Sequence, residues 1–407
     1  MSDRASDAAT AALPLAGALV VEFCQAMAGP FCTQMLADMG ARVIKVEKPG
    51  GDDSRGMPPY TIGDSSAYFA GPNRNKESIV LDLKSDEGRE VALRLIERAD
   101  IVVENNRPGV MARLGLGFEQ AKAVNPHIVY ASISGFGQDG PYRDMAAYDP
   151  IVQAMSGVMS LTGEEGRKPV RVGVAIGDLT AAMLAAFGAV SALCGARADG
   201  IARHVDASML DGQIAMLQYH LVYYLFSGII PQRQGQRHSG VPEQGEFTAS
   251  DGVTLFIAPM AEKMWQPLCR ALGLDDLAAD PELSTRMKRM GHIDAVRGRF
   301  EAAFASRPAQ RWVDVVRAAG IPITIINTLD RVAVDPQVLH RGMIADTEYA
   351  GEAVKLIGSP LRINGVANQV QPPPRLGQHS RAILQDLGYD ATAAEALLAT
   401  GHVAALA

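Results

Sequence analysis

The residues of this chain best suited to covalent chemistry are two aspartates, Asp178 and Asp149, each at the start of a helical segment. Asp178 ends the glycine-rich run Gly173-Val-Ala-Ile-Gly-Asp178, which leads straight into an apolar helix. There it reads as an N-cap, its carboxylate bonding exposed helix amides. It also reads as a nucleophile, because a helix N-terminus favours the ionised carboxylate that attack requires. The two readings are compatible. Asp149 shares the ambiguity, since Asp149-Pro150 is a cap followed by proline at the first helical position. A second glycine-rich loop, Gly135-Phe-Gly-Gln-Asp-Gly-Pro-Tyr142, follows an apparent strand. Lys48, Arg74, Lys76, Arg107 and Arg113 lie near strand ends or loops of the first half. Scattered cations of this kind form a solvated face, or else converge on a polyphosphate.

Other catalytic signatures are missing. The turn Gln25-Ala-Met-Ala-Gly29-Pro30 has one glycine where a dinucleotide fingerprint needs three, so a nicotinamide oxidoreductase is disfavoured. Ser134 lacks the preceding glycine of a nucleophile elbow, and no Walker loop or HExxH occurs. The eight histidines are scattered, and Cys24, Cys32, Cys194 and Cys269 have no CxxC spacing. No metal site is expected, and the cysteines read as reduced thiols of a cytoplasmic protein. A net charge of −7 argues against a general nucleic-acid binder. The start lacks the apolar core of a signal peptide. No unbroken apolar stretch of spanning length is read; Ile214 to Ile230 comes closest, interrupted by Gln218, His220 and three tyrosines, so no membrane partner is expected.

The elements that must carry these residues alternate. Residues 1–13 read as a disordered leader. Strands are expected at Leu19–Phe23, Arg42–Glu47, Ser78–Leu83, Asp100–Glu104, His127–Ile133 and His204–Ala207, with helices at Phe31–Met39, Asp86–Arg98, Pro108–Leu114, Pro150–Ser160, Leu179–Cys194 and from Asp211. This is an α/β fold with a doubly wound, mostly parallel sheet. The alternation breaks near Gly228, and 231–250 is a linker or lid rich in Gln, Gly, Arg and Pro. The expected plan is a large domain over 14–228, a smaller α+β domain over 229–320, and a return to the large domain over 321–407. That last part has strands at 321–327 and 354–363 and helices at 380–387 and 391–398.

Five collinear runs resemble one family. They are Ala28 to Glu47, Asn73-Arg-Asn-Lys76 with Ser78 to Leu83, Val103-Glu-Asn-Asn-Arg-Pro-Gly109, Tyr148-Asp-Pro-Ile-Val-Gln-Ala154, and Gly177-Asp178. On them, and over essentially its whole length from about Leu15, the chain resembles the class III CoA-transferases, the CaiB/BaiF group of formyl-CoA and carnitine CoA-transferases. The resemblance implies a Rossmann-like large domain and an interlocked homodimer. It makes coenzyme A the co-substrate and places the catalytic aspartate at Asp178, with Tyr148 and Asp149 beside the reaction centre. It puts CoA contacts at Lys48, Lys76, Asn105 and Arg113, and a lid at Gln234 to Glu246 with Gly235, Gly240 and Gly245, fewer glycines than some members carry. Met27 stands near the substrate where formyl-CoA transferases have a glutamine.

The implied activity moves CoA from an acyl-CoA donor to a carboxylic acid acceptor through an aspartyl mixed anhydride and an aspartyl-CoA thioester. Arg233, Arg237 and His238 near the lid are candidates to pair a second acceptor carboxylate. Two alternatives stand beside this. An α-methylacyl-CoA racemase would carry Gly-His-Asp where this chain has Ala147-Tyr148-Asp149, and tyrosine, with a pKa near ~10, is a poor match for a histidine base. A non-catalytic acyl-CoA binder would keep CoA affinity without turnover.

Overall fold

A computed structural model describes residues 13–238, 240–367 and 369–406. The leader expected over 1–13 therefore lies outside the described residues except for Leu13. The chain divides into two compact units, one of residues 1–158, 171–222 and 336–407, the other of 159–170 and 223–335.

Six strands dominate the first unit: β1 Leu19–Phe23, β2 Arg42–Glu47, β3 Glu77–Leu81, β4 Ile101–Glu104, β5 Val129–Ser134 and β6 Arg203–Ser208. They pair in parallel in the order β3-β2-β1-β4-β5-β6, and a short antiparallel strand, Val403–Ala404, closes the β3 edge. Because side chains alternate, Val20, Val43, Ile101, Val103 and Val129 enter one core while Val21, Ile44, Ile79 and Val102 enter another on the opposite face. The labelled helices are α1 Ala28–Asp38, α2 Ala67–Asn73, α3 Asp86–Arg98, α4 Asp149–Met155, α5 Ile176–Asp199 and α6 Met209–Ser227, the last kinked at Gln218. Helices α1 and α5 cover the first face, α3 and the C-terminal helices Ser380–Asp386 and Ala391–Ala399 the second. Both faces are sealed, as the apolar parallel strands require.

Helix α5 is long and apolar enough to cross a membrane by length and composition. Here it lies along the sheet, with Ala181, Ala182, Ala185 and Ala189 fully buried. Alanines let the helix backbone approach β5 and β6 closely, and Gly200 ends it in the left-handed conformation (φ 72°). The helix starts at Ile176, three residues earlier than the expected Leu179.

Beneath the carboxyl ends of β1 and β2 lies a buried ionic network. Glu22 and Lys45 are register partners, and the Lys45 ammonium sits 3.0 Å from Glu22 and 3.0 Å from Asp52. It also donates to the Cys24 carbonyl at 3.0 Å. Lys76 donates to Glu22 (2.8 Å), the Pro30 carbonyl (2.9 Å) and Asn73 Oδ1 (3.1 Å). Burial alone would raise the Glu22 carboxyl, but Lys45 and Lys76 outweigh it and hold it below its ordinary range. Asp52 in turn accepts the Ala26 amide at 3.3 Å, so the network reaches the loop after β1.

The second unit is built on a three-stranded antiparallel sheet, β7 Gly245–Thr248, β8 Thr254–Ile257 and β9 Ile323–Ile325, with β8 central. Its core holds Trp265, Phe300, Phe304 and Trp312. Because β9 pairs with β8, the chain returns to the first unit at Pro336, later than the expected 321, and 159–170 joins the second unit. The strand expected over 354–363 is Glu352–Ile357, the second strand of a hairpin with Ile344–Tyr349.

Replacing Lys45 by Ala leaves Glu22 and Asp52 underneutralised. The expected cost is about 3–5 kcal/mol in guanidinium chloride unfolding, against less than about 0.5 kcal/mol for Lys48→Ala at an exposed position.

Candidate active site

The strand order reverses between β1 and β4, and in open α/β sheets such a reversal opens a ligand crevice at the carboxyl ends of the strands. A cavity of about 520 Å³ lies there. Its walls come from the loops after β1 (Gln25 to Ala28), β2 (Asp52 to Ser54), β4 (Asn105 to Pro108) and β5 (Ser134 to Phe136), with Tyr68, Arg143, Met145, Tyr148, Asp149, Asp178 and Met209. A recess of about 60 Å³ shares Gln25, Asp52 and Asn106 and adds Lys48, Met111 and Leu114. Asn105 bridges the two central loops: its Oδ1 accepts the Gln25 amide at 2.9 Å and its Nδ2 donates to the Gln25 carbonyl at 2.9 Å.

Asp178 is the third residue of α5, whose N-cap is Ala175, so the N-cap reading of Asp178 does not hold. Its carboxylate accepts no hydrogen bond from any described side chain or amide, and it faces the cavity. Burial first, then the neighbouring Asp149 charge, pushes the Asp178 carboxyl up to about 6. Asp149 is not an N-cap of its own helix either, because Tyr148 holds that place on α4. Its Oδ1 instead accepts the Gly177 amide of α5 at 2.7 Å, and its Oδ2 accepts Gln153 Nε2 at 2.7 Å. One carboxylate thus caps the neighbouring helix and the other is left free. A Cβ at Gly177 would lie 2.3 Å from Gln213 Nε2 and 3.0 Å from Asp149 Oδ1, so a side chain here would displace one or both.

The remaining expected site residues scatter. Met27 and Asn105 line the cavity. Lys48 lines the recess, paired with exposed Asp53 at 2.6 Å. Lys76, expected at a CoA contact, is buried in the ionic network beneath the site and lines neither space. Arg74 is fully buried in a bidentate pair with Asp38. Arg113 is exposed and lines neither space, although its Nη1 and Arg143 Nη2 each stand 3.2 Å from where a Gly109 Cβ would be. Arg107 lines the cavity. Tyr148 also lines it and is 77% exposed.

The expected lid belongs to the second unit. Gly235 donates its amide to the Gly163 carbonyl at 3.1 Å, and Gly240 lies in a turn. From Val241 on the segment is packed: Val241 and Glu243 are buried, Glu243 pairs with buried Arg289, and Gly245 opens β7. Arg233 donates to the Ser160 (3.1 Å) and Arg167 (2.7 Å) carbonyls, both within this unit. No group of three or more potential ligands for a metal occurs among the described residues.

Sequence reasoning missed Tyr68 and Arg143. Tyr68 lines the cavity with Asp149 and Asp178; burial raises its phenol, and the charges of Asp178, Asp52 and Asp149 raise it further. Nothing in the run Ser65-Ser-Ala-Tyr68 marks it as more than a buried aromatic. Arg143 had a weak signal, its place in the loop between Gly135 and Tyr148.

The sequence profile of CoA-transferase family III matches residues 15–380. An acetyl-CoA:oxalate CoA-transferase of Acetobacter aceti is 38% identical over 377 residues, 92% of this chain and 95% of the relative. A human succinyl-CoA:glutarate CoA-transferase is 35% identical over 399 residues, 96% of this chain and 90% of the relative. The crystal structure of a CaiB/BaiF family protein from Brucella suis superposes with a TM-score of 0.84 at 35% identity, covering 92% of this chain and 99% of that one. A crop of cavity-lining loops at a parallel-sheet reversal, around an unpaired aspartate, is thus matched along nearly the whole chain: the protein belongs to CoA-transferase family III.

Proposed function

We propose that this enzyme transfers CoA from an acyl-CoA to a free carboxylic acid with Asp178 as the covalent nucleophile. The observation that carries the reading is a half-buried carboxylate without a hydrogen-bond partner, raised to about 6 and facing a cavity at the sheet reversal. It is ionised at neutral pH, yet more basic than an ordinary aspartate and so a better nucleophile.

The chemistry balances without ATP or redox. The Asp178 carboxylate attacks the thioester carbonyl, the C–S bond breaks, and CoA leaves as thiolate, giving a mixed anhydride. The thiolate attacks the Asp178 carbonyl, the anhydride C–O bond breaks, and the donor acid departs, leaving an aspartyl-CoA thioester. The acceptor carboxylate attacks that thioester and expels CoA thiolate. The thiolate then attacks the acceptor carbonyl, and Asp178 is regenerated. One oxygen of the acceptor stays on Asp178 and leaves with the next donor acid. Acylation neutralises Asp178 and removes its repulsion with Asp149, which favours the covalent state. Backbone amides at the start of α5 are available to each oxyanion.

We read Lys48, Asn105, Arg107 and Arg113 as CoA-binding groups at the rim, with Lys76 acting only through the packing below them. Met27 and Met145 give the cavity deformable apolar walls. Dicarboxylic acids are the proposed acceptors, supported by the oxalate and glutarate named for the relatives. The strand order supports a Rossmann-like reading of the large unit. A homodimer is proposed because Met183, Leu184 and Phe187 stand 48%, 44% and 74% exposed on α5, an apolar row that a second copy would cover.

With succinyl-CoA or acetyl-CoA and hydroxylamine, peptide mass spectrometry is expected to find a hydroxamate on the Asp178 peptide and none in Asp178→Ala. Activity should fall as pH drops through about 6, where Asp178 takes its proton, and Asp149→Asn should move that limb to lower pH by removing the repelling charge. A limb that stays in place in Asp149→Asn contradicts the pairing. In light scattering, Phe187→Glu should halve the particle mass of the parent. A parent that is already monomeric rules out the dimer.

A further inference from the structure

Tyr68 has no role in the mechanism above. It is the second residue of α2, a helix held at both ends. At its start, Ser66 Oγ accepts the Phe69 amide at 3.0 Å and donates to the Ser54 carbonyl at 2.5 Å. Phe69 is fully buried, with the Arg55 guanidinium 3.8 Å from the centre of its ring. At the other end, Asn73 Nδ2 donates to the Phe69 carbonyl at 2.9 Å, and its Oδ1 accepts Lys76 of the buried ionic network at 3.1 Å. A phenol carried on so anchored a helix has a fixed place on the cavity wall.

The same cavity is lined by Asp178. The Tyr68 hydroxyl has no hydrogen-bond partner among the described residues, and the Asp178 carboxylate has none either. Two polar groups thus line one cavity without bonding each other, and a third group bound there can meet both. The other cavity hydroxyls are less suited to that task. Ser54 donates to Asp52 at 2.7 Å, Ser134 receives the Gly137 amide at 3.0 Å, and Tyr148 is 77% exposed. Of the charges acting on the Tyr68 phenol, that of Asp178 is the strongest. Burial and these charges raise the phenol, so it keeps its proton at neutral pH and is a donor.

We propose that the Tyr68 hydroxyl is a catalytic group, the side-chain donor to the oxyanion that forms on the acyl carbon. The inference rests on Asp178 as the nucleophile. As an Asp178 oxygen bonds the thioester carbon, the carbonyl electron pair moves onto the carbonyl oxygen, and the Tyr68 O–H bonds it there. The carbonyl then re-forms, the C–S bond breaks and the thiolate leaves, while Tyr68 keeps its proton throughout. The last step, thiolate attack on the acceptor carbonyl, passes through an oxyanion at the same place. The two steps between them put the oxyanion on the Asp178 side chain itself, beside the backbone amides that start α5. Tyr68 therefore serves the first and last steps. A donor engaged most strongly in the transition state speeds the step without tightening CoA binding.

The test is rapid-quench peptide mass spectrometry on full-length protein mixed with succinyl-CoA and no acceptor, for the parent and Tyr68→Phe. This replacement removes the hydroxyl and keeps the ring. Since the hydroxyl has no partner in the fold, its loss should leave the structure intact, which circular dichroism checks. The covalent adduct on the Asp178 peptide is expected to form about 10²-fold more slowly in Tyr68→Phe, with the Kd for CoA unchanged. Equal rates in parent and variant overturn the proposal. A slower rate matched by an equal weakening of CoA binding also overturns it, and leaves Tyr68 a wall of the binding site. Absence of any adduct in the parent is a different result: it removes the nucleophile reading, and this proposal with it.

Discussion

The hydrogen bond from the Gly177 amide to the Asp149 carboxylate is the contact on which the site depends. It joins the start of α4 to the start of α5 and supplies the cap that Ala175 cannot give. It engages one aspartate fully, so the next residue along α5 points its own carboxylate into the cavity unengaged. It also brings a second negative charge close, and together with burial that charge holds Asp178 near 6. The bond thus bears on the position of the proposed nucleophile and, through the Asp149 charge, on part of its basicity. A side chain at 177 would disturb this contact, since Gln213 and Asp149 occupy the space a Cβ would need.

Around this bond the sheet does two jobs. Its reversal between β1 and β4 opens the crevice, and its parallel strands aim four loops into it. Loops would be poor walls for a reactive intermediate if they moved freely. Here the loop after β1 is tied by Asn105 from one side and by Asp52 from below. The buried Lys45 between Glu22 and Asp52 makes the second tie possible, because a lone Asp52 in that place would be too costly to ionise. Buried Lys45 and Glu22, which line neither space, therefore hold the surface above them.

Much of this was legible in the sequence. Valine- and isoleucine-rich runs marked five of the six parallel strands, while β6 has Val205 alone, and the glycine-bounded turns between them marked the α/β alternation. Asp178 stood out by its place at a helix start. What escaped is non-local. Lys76 and Arg74 look like free cations in sequence, and only the fold shows Glu22 and Asp38 opposite them. The cap relation was read within each helix, Asp149 for α4 and Asp178 for α5, whereas Asp149 caps across helices. The return of the chain was placed at 321 because Ile321 to Asn327 reads as a strand; that the strand found there, Ile323–Ile325, pairs with β8 of the smaller unit depends on register that local pattern does not carry. The lid looked continuous from Gln234 to Glu246, but buried Glu243 and its Arg289 partner make the second half part of a packed sheet.

The central claim is that CoA passes through a covalent bond to Asp178. Its most direct test follows oxygen. The enzyme would be run with succinyl-CoA or acetyl-CoA and an acceptor, oxalate or glutarate, whose carboxylates carry heavy oxygen, then digested and weighed. The account predicts heavy oxygen in the Asp178 peptide and in the released donor acid, and in no other peptide. Turnover that leaves Asp178 and the donor acid unlabelled would contradict it, and would mean that CoA moves between the two acids without forming a bond to this aspartate.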